Sequence, residues 1–111
     1  MEKQTILIVD DEEINRAVLS ITFGDDFQIL EAADGREALA RIDAHPGEIV
    51  AVLLDVVMPV MDGFEVLRIL GERKMLEQLP VFLITAENSE ERLRLGYDLG
   101  AGDIIGKPIV P

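Results

Sequence analysis

Residues 49–55 read IVAVLLD: six apolar side chains with no polar break, closed by an aspartate. The run is too short for a helix, and its lack of alternation is the mark of a strand buried on both faces. A carboxylate directly after such a run needs a partner or solvent, so Asp55 stands out as a candidate functional group.

Working outward, comparable short apolar runs occur at Ile6 to Val9, Phe27 to Leu30, Val81 to Ile84 and Ile104 to Ile105. Segments with helical spacing separate them. The first offers Ile14, Ala17, Val18 and Ile21 on one stripe, expected to face the core, with Glu12, Glu13 and Arg16 off it and Asp11 placed to cap it. The second begins at Asp34-Gly35, carries Ala38, Leu39 and Ile42 on one face, and stops at Pro46-Gly47. The third starts near Asp62-Gly63 and presents Phe64, Leu67 and Leu70. The fourth follows Asn88-Ser89, has Glu90 and Glu91 in its first turn where the helix dipole favours acids, and is closed by Gly100. Strand alternating with helix at this interval predicts βαβ units, right-handed crossovers and a parallel sheet.

Composition narrows the function classes. A chain of 111 residues is expected to form one domain. Its formal charge is −12, from 22 acidic and 10 basic residues, which repels nucleic-acid phosphates and anionic membrane surfaces. There is no cysteine, so disulfides and thiolate metal sites are excluded and a reducing, cytoplasmic setting is expected. No apolar stretch approaches the roughly 20 residues that span a bilayer.

In an open parallel sheet, ligands gather at the carboxyl ends of the strands. Asp10 and Asp11 end the first strand, Asp55 the third and Thr85 the fourth, and Lys107 follows the fifth. Three carboxylates at one sheet edge repel one another and call for a cation; a hard divalent ion such as Mg²⁺ takes oxygen ligands of this kind. With Lys107 and the Thr85 hydroxyl beside them, the set suits a phosphoryl group arriving at Asp55. Taken singly, each residue has a plainer role: Asp10-Asp11 as helix capping, Thr85 as a strand residue, Lys107 as a surface lysine. His45, the only histidine, sits at a helix end and reads as a surface cap.

In these residues the chain resembles the receiver domain of two-component response regulators, over essentially its whole length. The resemblance is carried by ILIVDDEEINR at 6–16, LLDVVMPVMDGFEVL at 53–67, VFLITA at 81–86 and GAGDIIGKP at 100–108. It implies an α/β fold: an open five-stranded parallel sheet of flavodoxin-like order 2-1-3-4-5 with helices on both faces. It also implies that Asp55 accepts a phosphoryl group from a histidine kinase or phosphotransfer protein, and that the domain then switches an output domain or protein target. Asp11 would bind Mg²⁺ directly, Asp10 through water, and Asp55 and the Val57 carbonyl would complete the ligands. Thr85 would be the switch hydroxyl, Lys107 the phosphoryl partner, and the Lys107–Pro108 bond cis. Gly63 fits a turn beside the loop, Met58 and Met61 flank that loop, and Glu87 is better placed than Val57 to influence phosphoryl lifetime. Such a domain is not an enzyme in the ordinary sense, although it assists its own modification.

Two departures from the family pattern bear on the expectation. Ile104 stands where the family usually has an aromatic residue, three before the lysine, which removes the usual aromatic readout; the nearby Tyr97 is expected to be an ordinary half-buried residue. The family also ends in a fifth helix, whereas this sequence stops at Pro111. The expectation is a single receiver domain over 1–111, truncated from a longer protein, with its last helix missing or supplied elsewhere. An uncovered apolar face would then drive homodimer formation or marginal stability. A phosphatase of the haloacid-dehalogenase type also uses a strand-end aspartate, but needs a second carboxylate two residues on, where this chain has Val57. A pseudo-receiver that only binds protein is the remaining alternative.

Overall fold

The computed structural model describes residues 3–86 and 89–107. Glu87, Asn88 and the Lys107–Pro108 bond, singled out above, lie outside the described residues. The elements run β1 (Gln4–Val9), α1 (Glu13–Phe23), β2 (Phe27–Ala32), α2 (Gly35–Ala44), β3 (Ile49–Asp55), α3 (Gly63–Glu72), β4 (Val81–Thr85), α4 (Glu90–Asp98) and β5 (Asp103–Gly106). All paired strands are parallel, in the order β2-β1-β3-β4-β5.

Alternation along the strands divides the core into two. Leu7, Val9, Val52, Leu54, Val81 and Leu83 point to the face covered by Ala38 and Ile42 of α2 and by Val66, Leu67 and Leu70 of α3. Ile6, Ile8, Leu53 and Ile84 point to the other face, where α1 contributes Leu19 and Phe23. This two-sided burial is why β3 and β4 carry uninterrupted apolar runs.

Helix ends follow their local chemistry. The Asp34 carboxylate accepts from Glu37 N–H at 2.8 Å and Asp62 from Glu65 N–H at 2.9 Å. Ser89 Oγ accepts from Arg92 N–H, and Gly100, at φ 103°, turns the chain out of α4. His45 is the C-cap of α2 and pairs with Glu48 at 2.8 Å, a surface role as expected.

Helix α1 departs from expectation in two ways. Its N-cap is Glu12, not Asp11, and no side chain caps it there. The Asp10 carboxylate instead accepts the Glu12 N–H at 2.9 Å, which starts the turn one residue earlier. The stripe of Ile14, Ala17, Val18 and Ile21 does not face the core: Ile14 is 68% and Ile21 74% exposed. The helix is apolar on two sides, and the side carrying Leu19 and Phe23 is the one seated on the sheet.

Candidate functional site

The change in strand order falls between β1 and β3, each of which ends in a carboxylate. Asp10, one residue past β1, is 1% exposed, and Asp55, the last residue of β3, is 3% exposed. Asp11 is exposed beside them, and one oxygen from each of the three lies within 4.8 Å of the other two. Lys107 reaches back from the end of β5, placing Nζ 3.1 Å from Asp55 Oδ1 and 3.2 Å from Asp10 Oδ2. Thr85, buried at the end of β4, pairs with Gly106 and accepts Lys107 N–H on its carbonyl at 2.9 Å. The sheet thus brings together Asp10, Asp11, Asp55 and Lys107, with Thr85 on the intervening strand end. Val57 stands on the loop just beyond, its side chain 56% exposed.

Gly63 sets the floor of this pocket. Its N–H donates to Val56 O at 2.8 Å, and a Cβ there would stand 2.9 Å from Val56 Cα and closer still to the Asp55 carbonyl oxygen. Only glycine lets the first turn of α3 approach the backbone of the acidic strand end this closely. The intervening loop is tight: Val60 sits at φ 70°, a conformation that disfavours a β-branched residue, and Met58 is buried beneath it.

Burial and then the Asp10 charge push the Asp55 carboxyl up to about 6, with Lys107 opposing them. Burial pulls the Lys107 ammonium down, but Asp55 and Asp10 outweigh it and hold its pKa above the ordinary lysine value. The pocket therefore carries more negative charge than its one lysine compensates. Its hard oxygen donors fit a divalent ion such as Mg²⁺, and would hold it through carboxylates.

Ile104 and Arg16 complete the surroundings. Ile104 packs inward, lining a small cavity with Thr85, Val56, Phe64, Leu83, Arg92 and Leu93. It fits because residue 96 is glycine: a Cβ there would lie 2.8 Å from Ile104 Cδ1. Tyr97 stays 50% exposed, with its hydroxyl donating to Asp103 at 3.1 Å. Arg16, assigned only to the polar side of α1 above, donates to the Asp10 carbonyl at 2.7 Å. Its position in the first turn of α1, just after the acidic pair, put it near the site but did not by spacing alone show this contact.

Fold and pocket define a doubly wound parallel α/β domain with a carboxylate centre at its switch point. Residues 6–111 match the response regulator receiver domain as a family, and the chain belongs to that family of two-component signalling domains. A probable cyclic di-GMP phosphodiesterase of Vibrio cholerae is 38% identical over 105 residues, covering 95% of this chain and 23% of that protein. The response regulator GtcR of Aneurinibacillus migulanus is 38% identical over 110 residues, covering 97% of this chain and 43% of that one. The chain thus spans less than half the length of these relatives. Among solved structures, the chemotaxis protein CheY4 of Vibrio cholerae superposes with a TM-score of 0.89 at 33% identity, covering 99% of this chain and 91% of that one. Receiver domains bind Mg²⁺ at an acidic pocket, and this chain gathers Asp10, Asp11 and Asp55 in a cluster of carboxylates that could hold such an ion.

Proposed function

We propose that Asp55 is the phosphoryl acceptor of this receiver domain, modified by a sensor histidine kinase or a phosphotransfer protein. The observation that carries this reading is the Lys107 ammonium within 3.2 Å of both Asp55 and Asp10 in a pocket of three clustered carboxylates. An Asp55 carboxylate oxygen attacks phosphorus, the donor's P–N bond breaks, and its electron pair leaves with the donor imidazole. Lys107 then moves its bond from the carboxylate to a phosphoryl oxygen, and the Thr85 hydroxyl donates to another. Asp11, Asp55 and the Val57 carbonyl, with Asp10 through water, would hold a Mg²⁺ ion, which would neutralise charge in the pocket.

The exposed Val57 side chain offers no hydrogen bond to a hydrolytic water, which favours a long-lived acyl phosphate. Residues 1–111 act in the cytoplasm as one receiver unit that passes its state to an output domain or a separate protein target. The acidic net charge of −12 makes direct nucleic-acid binding by this segment unfavourable. Incubation with Mg²⁺ and a small-molecule acyl phosphate, followed by intact-mass measurement, tests the reading. One phosphoryl group is expected on the unaltered chain and none on Asp55→Asn; equal gain on both chains overturns it.

A further inference from the structure

Asp10 is held at four of its atoms. Its N–H donates to Ala32 O at 3.1 Å, the last bond on that side of the β1–β2 ladder. Its Oδ1 accepts Glu12 N–H at 2.9 Å and its Oδ2 accepts from Lys107 at 3.2 Å. Its carbonyl oxygen, past the end of the sheet, accepts Arg16 Nη1 at 2.7 Å. The same guanidinium donates through Nε to Glu31 Oε1 at 3.1 Å, and the Arg16 side chain is only 17% exposed.

Two of these bonds bracket Asp11. The peptide group before it is fixed by Arg16 on the Asp10 carbonyl, and the one after it by Asp10 Oδ1 on the Glu12 N–H. Asp11 itself is exposed, so burial does not place it; the two pinned peptide planes fix its backbone and with it the direction in which its Cα–Cβ bond leaves the chain. We infer that Arg16, oriented by Glu31, is a positioning residue for the divalent-cation site: it fixes the Asp10–Asp11 peptide and so aims the Asp11 carboxylate at Asp10 and Asp55. The inference rests on the reading of those carboxylates as a cation site. It favours a guanidinium, whose Nε and Nη1 hold the carboxylate and the carbonyl in one rigid fork, whereas a lysine offers a single flexible nitrogen with no fixed spacing between its donors.

Charge and geometry act here in opposite directions, which makes the role testable. As a nearby positive charge, Arg16 disfavours cation binding, and its removal by charge alone would tighten Mg²⁺. As a clamp it favours binding, and its removal loosens Mg²⁺. Groups that orient metal ligands typically contribute about 10-fold or more to affinity. The experiment is an amide chemical-shift titration with Mg²⁺ on the unaltered chain, Arg16→Lys, Arg16→Met and Glu31→Gln, with urea unfolding of each in the absence of Mg²⁺.

Arg16→Lys, which keeps the charge, and Arg16→Met are both expected to weaken Mg²⁺ by about 10-fold. Glu31→Gln, whose amide oxygen still accepts from Nε, should weaken it less than either. A role confined to stability would lower the urea midpoint and leave Mg²⁺ affinity unchanged, which overturns the inference, as does tighter binding by Arg16→Met. Should Arg16→Met fail to fold, Arg16→Lys carries the test. Absence of Mg²⁺ binding by the unaltered chain overturns the functional reading and the clamp with it. Binding by the unaltered chain that Arg16→Lys matches overturns the clamp alone.

Discussion

Lys107 Nζ stands 3.1 Å from Asp55 Oδ1, joining the residue after the edge strand β5 to the end of β3 across the intervening β4. The lysine lies within ion-pair distance of the proposed acceptor oxygen, and its hydrogen bond and charge lower the Asp55 pKa against burial and Asp10. Lys107→Met should therefore raise the Asp55 pKa above its present value of about 6, read from the side-chain carboxyl shift during an NMR titration. Phosphoryl gain from a small-molecule donor should slow on the order of 100-fold, the usual effect of deleting one donor to a developing anionic oxygen. An unchanged rate would remove Lys107 from the chemistry.

Stability should depend on pH through Asp55. Its folded-state pKa of about 6 exceeds its ordinary value of 3.8, so the folded chain holds a proton over a range where the unfolded chain has released it. The stabilisation from this proton is fully present below about pH 4 and is lost as pH rises through 6. In urea denaturation with chelator present, Asp55→Asn should exceed the unaltered chain at pH 7.5 by about 1–2 kcal/mol, after allowing for solvent screening. The difference should shrink at pH 5 and shrink again when Mg²⁺ binds the unaltered chain. A pH-independent difference would mean that Asp55 is not the strained carboxylate.

The loop from Asp55 to α3 contains one residue that must be glycine and one that suffers for not being so. Gly63→Ala places a methyl against the Asp55 carbonyl and the Val56 backbone, neither of which can yield cheaply. A loss of about 2 kcal/mol or more and slower phosphoryl gain are expected. Val60 lies at φ 70° and is 77% exposed, so little packing offsets the strain. Val60→Gly should raise the urea midpoint, by up to about 1 kcal/mol in unfolding free energy. A Gly63→Ala chain as stable as the unaltered one would refute the close approach.

The sheet order came with the family resemblance, whereas the strand runs, the helix starts near Asp34, Asp62 and Ser89, and the gathering of Asp10, Asp11, Asp55 and Lys107 were legible in the residues themselves. They follow from local pattern and from the rule that strand ends share one edge of the sheet. What escaped depended on choices that local pattern leaves open. Helix α1 carries apolar residues on two sides, so periodicity could not say that Leu19 and Phe23, rather than Ile14 and Ile21, would meet the sheet. The bond from Arg16 to the Asp10 carbonyl depends on where a long side chain reaches back over a turn, and spacing alone does not show that. Ile104 was recognised as the departure from an aromatic, but its inward seat depends on Gly96 of a neighbouring helix.

The outward stripe of α1 makes self-association a concrete expectation. Ile14 and Ile21 are 68% and 74% exposed, and on β5 Ile105 is 37% exposed. Apolar side chains spaced along one helix face in this way favour contact with a second apolar surface. Sedimentation of the unaltered chain should show concentration-dependent association, and Ile14→Gln with Ile21→Gln should reduce it. Because both residues face solvent, the pair should change unfolding free energy by no more than about 0.5 kcal/mol each. Leu19, two residues before Ile21 and so on another side of the helix, is 2% exposed and provides the contrast. Leu19→Gln places an amide in the cluster with Ile6, Ile8, Leu53 and Ile84 and should destabilise by about 2 kcal/mol or more. If the double variant unfolds as readily as Leu19→Gln, the stripe is part of the core after all. If the unaltered chain sediments as a monomer at every concentration, the stripe does not drive self-association.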